Sequence, residues 1–179
     1  MEILHCILRE IEDVINKVKV EELDKFASRI TKDKRIFVDG EGRSGLMTKG
    51  FAMRLMHLGY TVYVLGETIT PAIRENDVFI AVSGSGESSG VIANAKKAAE
   101  KGSMVLAVTS KLDSSIAKLA ETVLIVPGTI KSDSGESRGS IQLLSSLFDQ
   151  SLHITLDAVC LMLSRRDEIS NEEATKIHW

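Results

Sequence analysis

Two periodicities alternate along the chain. Apolar residues first recur at helical spacing, at Ile3, Ile7, Ile11, Val14, Ile15 and Val18, then at Leu23, Phe26, Ala27 and Ile30. "RIFVDG" (35–40) reads as a short buried strand ending in glycine. From there helix and strand signals take turns. "SGLMTKGFAMRLMHLG" (44–59) predicts a helix closed by Gly59, "YTVYVLGE" (60–67) a second strand, and "DVFIAVSG" (77–84) a third. "SSGVIANAKKAAEKG" (88–102) predicts a helix ending at Gly102, followed by the strand "MVLAVTS", the short helix "SSIAKLAE" and the strand "TVLIVPG". A polar loop at 132–142 leads to a long helix over 143–164, a charged break and a C-terminal stretch at 170–179.

Short β-branched strands that alternate with helices predict an α/β fold, with a parallel sheet covered on both faces. Five strands and right-handed crossovers favour the flavodoxin-like order 2-1-3-4-5. Ligands of such sheets bind beyond the carboxyl ends of the strands, where the order reverses, here between strands one and three. The loops at those two ends are "GEGRSG" and "SGSGESS", the two glycine-rich loops of the chain. Both therefore fall on one crevice.

A length of 179 residues suits one domain, 1–179, with a full core. The net charge of −3 gives no basic footprint for nucleic acid or an anionic membrane. No apolar run reaches the roughly 18 residues of a membrane span. Met1–Glu10 has no signal-peptide layout, and Cys6 and Cys160 lie far apart outside any CxxC. The expectation is a cytoplasmic protein with reduced, structural cysteines. The apolar stripes of the predicted helices at 1–19 and 143–164 fit either the chain's own sheet or a second subunit.

The first loop is formally a GxGxxG through Gly40, Gly42 and Gly45, with Glu67 near the end of strand two. Alone that motif is weak, because a tight strand-to-helix turn has the same glycines. The second loop favours a terminal phosphate over a dinucleotide. Ser83, Ser85 and Ser88 offer hydroxyl donors, Gly84 and Gly86 let backbone N–H groups approach, and the following helix points its positive end at the anion. Ser88 and Ser89 also suit a plain helix N-cap. No GK[ST] follows, so this is not a nucleoside-triphosphate loop.

"SGSGES" after strand three resembles the phosphosugar loop of sugar isomerase (SIS) domains. "GRSG" with "FAMRLMHLG" and "GETITP" is similar to 6-phospho-3-hexuloisomerases, and the similarity extends through the "PG" after strand five to "LFDQSL…LDAV". The resemblance implies an enzyme that interconverts arabino-hex-3-ulose 6-phosphate and fructose 6-phosphate through an enediol, without metal or organic cofactor, as a homotetramer. It assigns Ser44, Ser83, Ser85 and Ser88 to the phosphate and turns Gly42 and Arg43 of the first loop toward the sugar phosphate. The family's F-E-Q glutamate, the expected base, is Asp149 here, one methylene shorter, and Leu143-Leu144-Ser145 stands where the family tends to have Pro-Met-Gly. A C-terminal histidine that reaches substrate across a subunit boundary matches His178.

Other candidates have a chemical and a plain reading. His57 with Arg54 contacts the sugar or is a cation at a helix C-terminus. Glu67 is a second crevice carboxylate or a solvated strand end. His153, four residues after Asp149, is a core or interface histidine, and Met47, Met53 and Met56 read as core. No metal-ligand spacing occurs. A sensing module with the same pocket but no turnover, or an isomerase for another phosphosugar, are the alternative readings.

Overall fold

The computed structural model describes residues 2–179, the side chains of residues 136 and 137 excepted. Helices α1 (Glu2–Ile15) and α2 (Val20–Ser28) precede strand β1 (Ile36–Gly40). Then follow α3 (Gly42–His57), β2 (Val62–Val64), β3 (Val78–Val82), α4 (Ser89–Glu100), β4 (Met104–Thr109), α5 (Ser115–Leu119) and β5 (Thr122–Ile125). A 3-10 turn at Gly135–Arg138 leads to α6 (Ser146–Arg166) and α7 (Asn171–Ile177). All strand pairs are parallel and the order is β2-β1-β3-β4-β5, as the periodicities predict.

The pleat sends alternate side chains to opposite faces, and each face has its own core. Ile36, Val38, Ile80, Val82 and Val108 pack with Phe51, Leu55, Phe148, Leu152 and Val159 under α1, α2, α3 and α6. Phe37, Phe79, Ala81 and Ala107 pack under the small residues Ala95 and Ala98 of α4 and Ile116 of α5. No helix of the described residues is long and apolar enough to cross a membrane.

Several boundaries differ from the periodicity. The first helical stretch, expected at 1–19, stops at Ile15, and a second helix takes over at Val20. Strand two shrinks to three residues, because it lies at the sheet edge and pairs with β1 alone. The helix expected over 143–164 starts only at Ser146, since Leu144 takes a left-handed φ of 53°, which no helix accommodates. Leu143 and Leu144 are exposed instead. Met47 packs against the core, but Met53 and Met56 face outward, Met53 at 50% exposure. His153 also turns to solvent, where its Nε2 lies 3.6 Å from Asp157 Oδ2.

The segment from β5 to α6 is held down by its own polar contacts. Thr129 Oγ1 donates to the Arg138 carbonyl at 2.6 Å, and the Arg138 guanidinium donates to the carbonyls of Gln142 and Leu144. The Glu10 carboxylate of α1 accepts from Ser140 Oγ, the Ile141 amide and Gln142 Nε2. Lys111 pairs with Asp133 at 3.2 Å. This bracing carries Ile130, Lys131 and Leu144 to the carboxyl edge of the sheet.

Candidate active site

Each glycine-rich loop is shaped by one steric demand. A Cβ on Gly45 would lie 2.5 Å from the Gly40 carbonyl oxygen, so α3 can start against the end of β1 only through glycine. The Thr48 hydroxyl then donates to the Ser44 carbonyl at 2.8 Å. In the second loop Gly86 has φ +69°, and any side chain there would run into Ser114.

The serines of that loop do not cap α4. Ser88 occupies the N-cap position without a side-chain capping bond, and its Oγ lies 3.0 Å from Ser83 Oγ. Ser83 Oγ also accepts from the Gly86 amide at 3.1 Å, and Ser85 Oγ accepts from the Glu87 amide at 3.2 Å. Glu87 is tied to α5 by the Ser115 amide and hydroxyl, and these bonds hold its carboxyl below the usual glutamate range. The Gly84 carbonyl accepts from the Ser110 amide and hydroxyl and from Thr109 Oγ1, so the turn has little freedom. Gly84 itself is pressed against Ile130 and the Phe148 ring, where a Cβ would stand 2.9 Å and 3.0 Å from their nearest carbons.

The two loops and the N-terminus of α6 enclose a cleft of about 430 Å³. Its lining includes Gly42, Arg43, Ser44, Ser83, Gly84, Ser85 and Ser88, together with Asp149. Asp149 lies in the first turn of α6 and is 2% exposed. Its Oδ1 accepts from Ser44 Oγ at 2.6 Å, and Arg43 Nη1 donates to Ser146 Oγ at 2.8 Å. Burial pushes the Asp149 carboxyl above the usual aspartate range, against the Ser44 bond and the Arg43 charge, which both lower it. A compact anion fits the serine end of this cleft, where hydroxyls and the first amides of α4 converge. The Asp149 carboxyl, a group able to move a proton, lines the same cleft.

A sequence model of the family described as SIS domain matches residues 29–154, from the end of α2 into α6. The chain belongs to the SIS domain family. It is 41% identical to the 3-hexulose-6-phosphate isomerase of Mycobacterium gastri over 175 residues, 98% of this chain and 87% of that one. It is 41% identical to the protein of the same name from Bacillus subtilis, over 93% of this chain and 90% of the relative. A Methanococcus jannaschii protein superposes with a TM-score of 0.84 at 30% identity, over 100% of this chain and 98% of that one. Its crystal structure was described as inferring a molecular function of 3-hexulose-6-phosphate isomerase.

The SIS match takes in both loops and Asp149 and ends before α7. The remaining predicted residues lie away from the cleft of their own chain. Arg54 and His57 sit at the far end of α3, about 15 Å and about 20 Å along the helix axis from Ser44. There His57, 3% exposed, stacks on His178, with Arg54 Nη1 3.5 Å from its Nδ1. His57 is thus no exposed cation at a helix end. Burial first, then the Arg54 and His178 charges, lower its pKa. Glu67 is exposed, pairs with Lys49 at 2.8 Å, and borders a separate groove against Phe37 and Phe79.

Other groups of the SIS domain have no motif. Lys131 and Ser146 line the cleft, and the Lys131 backbone N–H donates to Ser145 Oγ at 3.0 Å. The signal that points to Lys131 is topological, since the loop after β5 opens on the same edge as the two glycine loops. Asp39, at the end of β1, accepts from Asn94 at 3.0 Å, and burial raises its pKa. Among the described residues no group of three or more His, Cys, Asp or Glu could hold a metal ion. Cys160 is buried and its thiol is pushed up to about 12.

Proposed function

We propose that the chain is a cytoplasmic phosphosugar isomerase, one SIS domain over its whole length, that interconverts arabino-hex-3-ulose 6-phosphate and fructose 6-phosphate without a cofactor. One observation carries this reading: the Asp149 carboxylate and the serine loop share a cleft. The two relatives named 3-hexulose-6-phosphate isomerase add the choice of sugar.

In this reading the phosphate sits on Ser83, Ser85 and Ser88 with the backbone of Gly84 and the amino end of α4. That leaves the carbonyl carbon and its hydroxylated neighbour facing Asp149. The ionised carboxylate lifts the proton from the carbon beside the carbonyl, an enediol forms, and the proton returns to the adjacent carbon. The cations of Arg43 and Lys131 steady the developing oxyanion. Nothing is oxidised or reduced overall, because the carbonyl and the hydroxyl exchange carbons.

A homotetramer completes the proposal. Leu46 and Met53 of α3, Ile154 and Leu161 of α6, and Ile177 with Trp179 near the C-terminus are exposed apolar residues, which supports packing against further copies. Arg54, His57 and His178 then reach a cleft only as a neighbour's residues.

The test is a coupled assay for fructose 6-phosphate formation from the 3-hexulose phosphate, run beside a panel of other sugar phosphates. Turnover of the 3-hexulose phosphate above the panel is the expected result. Phosphosugar binding without turnover of any of them would instead make the chain a sensing module.

A further inference from the structure

Ser44 has one hydroxyl proton, and its placement decides what the residue can do. The donor goes to Asp149 Oδ1 at 2.6 Å. A phosphate dianion offers only acceptors, so Ser44 cannot donate to it while serving the carboxylate. In the second loop Ser83 and Ser88 share one hydrogen bond at 3.0 Å, so one of their two hydroxyl protons remains for an anion beside the amino end of α4.

The serine is also held from behind. Its carbonyl accepts from the buried Thr48, the next residue is locked against the Gly40 carbonyl, and the preceding Arg43 is tied to Ser146. The hydroxyl therefore has a fixed origin on the β1–α3 junction. Asp149 needs such a guide. Its short side chain has a soft terminal torsion, and burial disfavours the charge that proton removal requires.

We propose that Ser44 is a positioning residue for isomerisation: it fixes the Asp149 carboxylate through Oδ1 and leaves Oδ2 to meet the substrate proton, and it does not bind the phosphate. This rests on the isomerase reading above. It departs from the assignment of Ser44 to the phosphate that the family resemblance implies.

The experiment compares the parent with Ser44→Ala and Ser44→Thr. Three quantities are read: the titration of the Asp149 carboxyl by carbon-13 NMR, the pH profile of kcat and KM, and fructose 6-phosphate affinity by calorimetry. A hydrogen bond to the charged form favours that form, so Ser44→Ala moves the Asp149 titration and the acid limb of kcat toward higher pH. At a pH above that limb kcat falls about tenfold or more, the scale of a lost hydrogen bond to a charged group. KM and fructose 6-phosphate affinity change less than about threefold, far below that scale. Ser44→Thr keeps the hydroxyl and restores the parent profile. Should Ser44→Ala fail to fold, Ser44→Cys, a weaker donor of similar size, carries the same test.

An unmoved titration in the variant overturns the proposal. So does a loss of affinity of about tenfold with kcat unchanged, which is the behaviour of a phosphate ligand. A parent that turns over no sugar phosphate refutes the isomerase reading instead, and the NMR titration still decides the role of Ser44.

Discussion

His57 and His178 stack with ring centroids 5.1 Å apart and planes 27° apart, and through them α7 rests on the far end of α3. Burial and the adjacent Arg54 favour the neutral form of His57 in this contact.

Acid should loosen this end of the molecule. The folded-state pKa of His57 is depressed, so its contribution is present above the unfolded value of 6.5 and is lost as pH falls through the folded value. In that window the unfolded chain takes a proton that the folded chain refuses. Thermal melts from neutral pH downward should show a shallower loss for His57→Gln than for the parent. Equal slopes would mean that another group governs the acid limb.

Complementation tests the proposed sharing of sites between subunits. Asp149→Asn and His178→Ala should each lower turnover by about 10²-fold, the scale of a lost positioned acid or base. Unfolding and refolding the two variants together should restore activity, because some clefts then combine an intact Asp149 with a neighbour's intact His178. A mixture as inactive as its components places His178 with its own chain or outside the reaction.

The two paired serines of the second glycine-rich loop should separate in their effects. Ser83→Ala removes an acceptor from the buried Gly86 amide as well as a donor to phosphate, so both stability and fructose 6-phosphate affinity fall, the former by about 1 kcal/mol. Ser88→Ala should weaken affinity and leave the melting temperature of the free protein nearly unchanged. Fructose 6-phosphate should raise the parent's melting temperature by mass action and fructose should not. Equal stabilisation by both sugars would remove the phosphate from this loop.

Asp149 should trade stability for activity. Its folded-state pKa is raised, so the stability linked to it is full below the unfolded value of 3.8 and is lost as pH rises through the folded value. Asp149→Asn carries no such charge and should melt higher than the parent at neutral pH, the gap closing as pH falls. Its turnover should drop by about 10²-fold. Asp149→Glu restores the family residue and should hold or raise activity. A melting difference that is constant with pH would show that Asp149 is not the group held out of its ordinary range.

The strand order and both glycine loops are legible in the sequence because their signals are local: β-branched runs, a glycine at each strand end, hydroxyls packed into a few positions. The edges of elements are less so. Leu143 and Leu144 continue the apolar period of α6, yet the loop braced by Arg138 draws Leu144 into a left-handed turn. Met53 and Met56 look like core by type, although α3 turns them away from the sheet. The bond between Ser44 and Asp149 joins positions 105 residues apart and leaves no trace in either local pattern. Lys131 and Ser146 are brought in by the same long-range folding.

The ring of Phe148, wedged against Gly84, ties the serine loop to the residue next to Asp149. That wedge makes the cleft a gauge of fixed span. In the proposed isomerase, a sugar gripped at its phosphate would present whichever carbon lies the right number of bonds away, so chain length would be screened before any hydroxyl's configuration is read. Shaving the wedge to a smaller side chain would blur the count, and longer or shorter phosphosugars would begin to compete on equal terms.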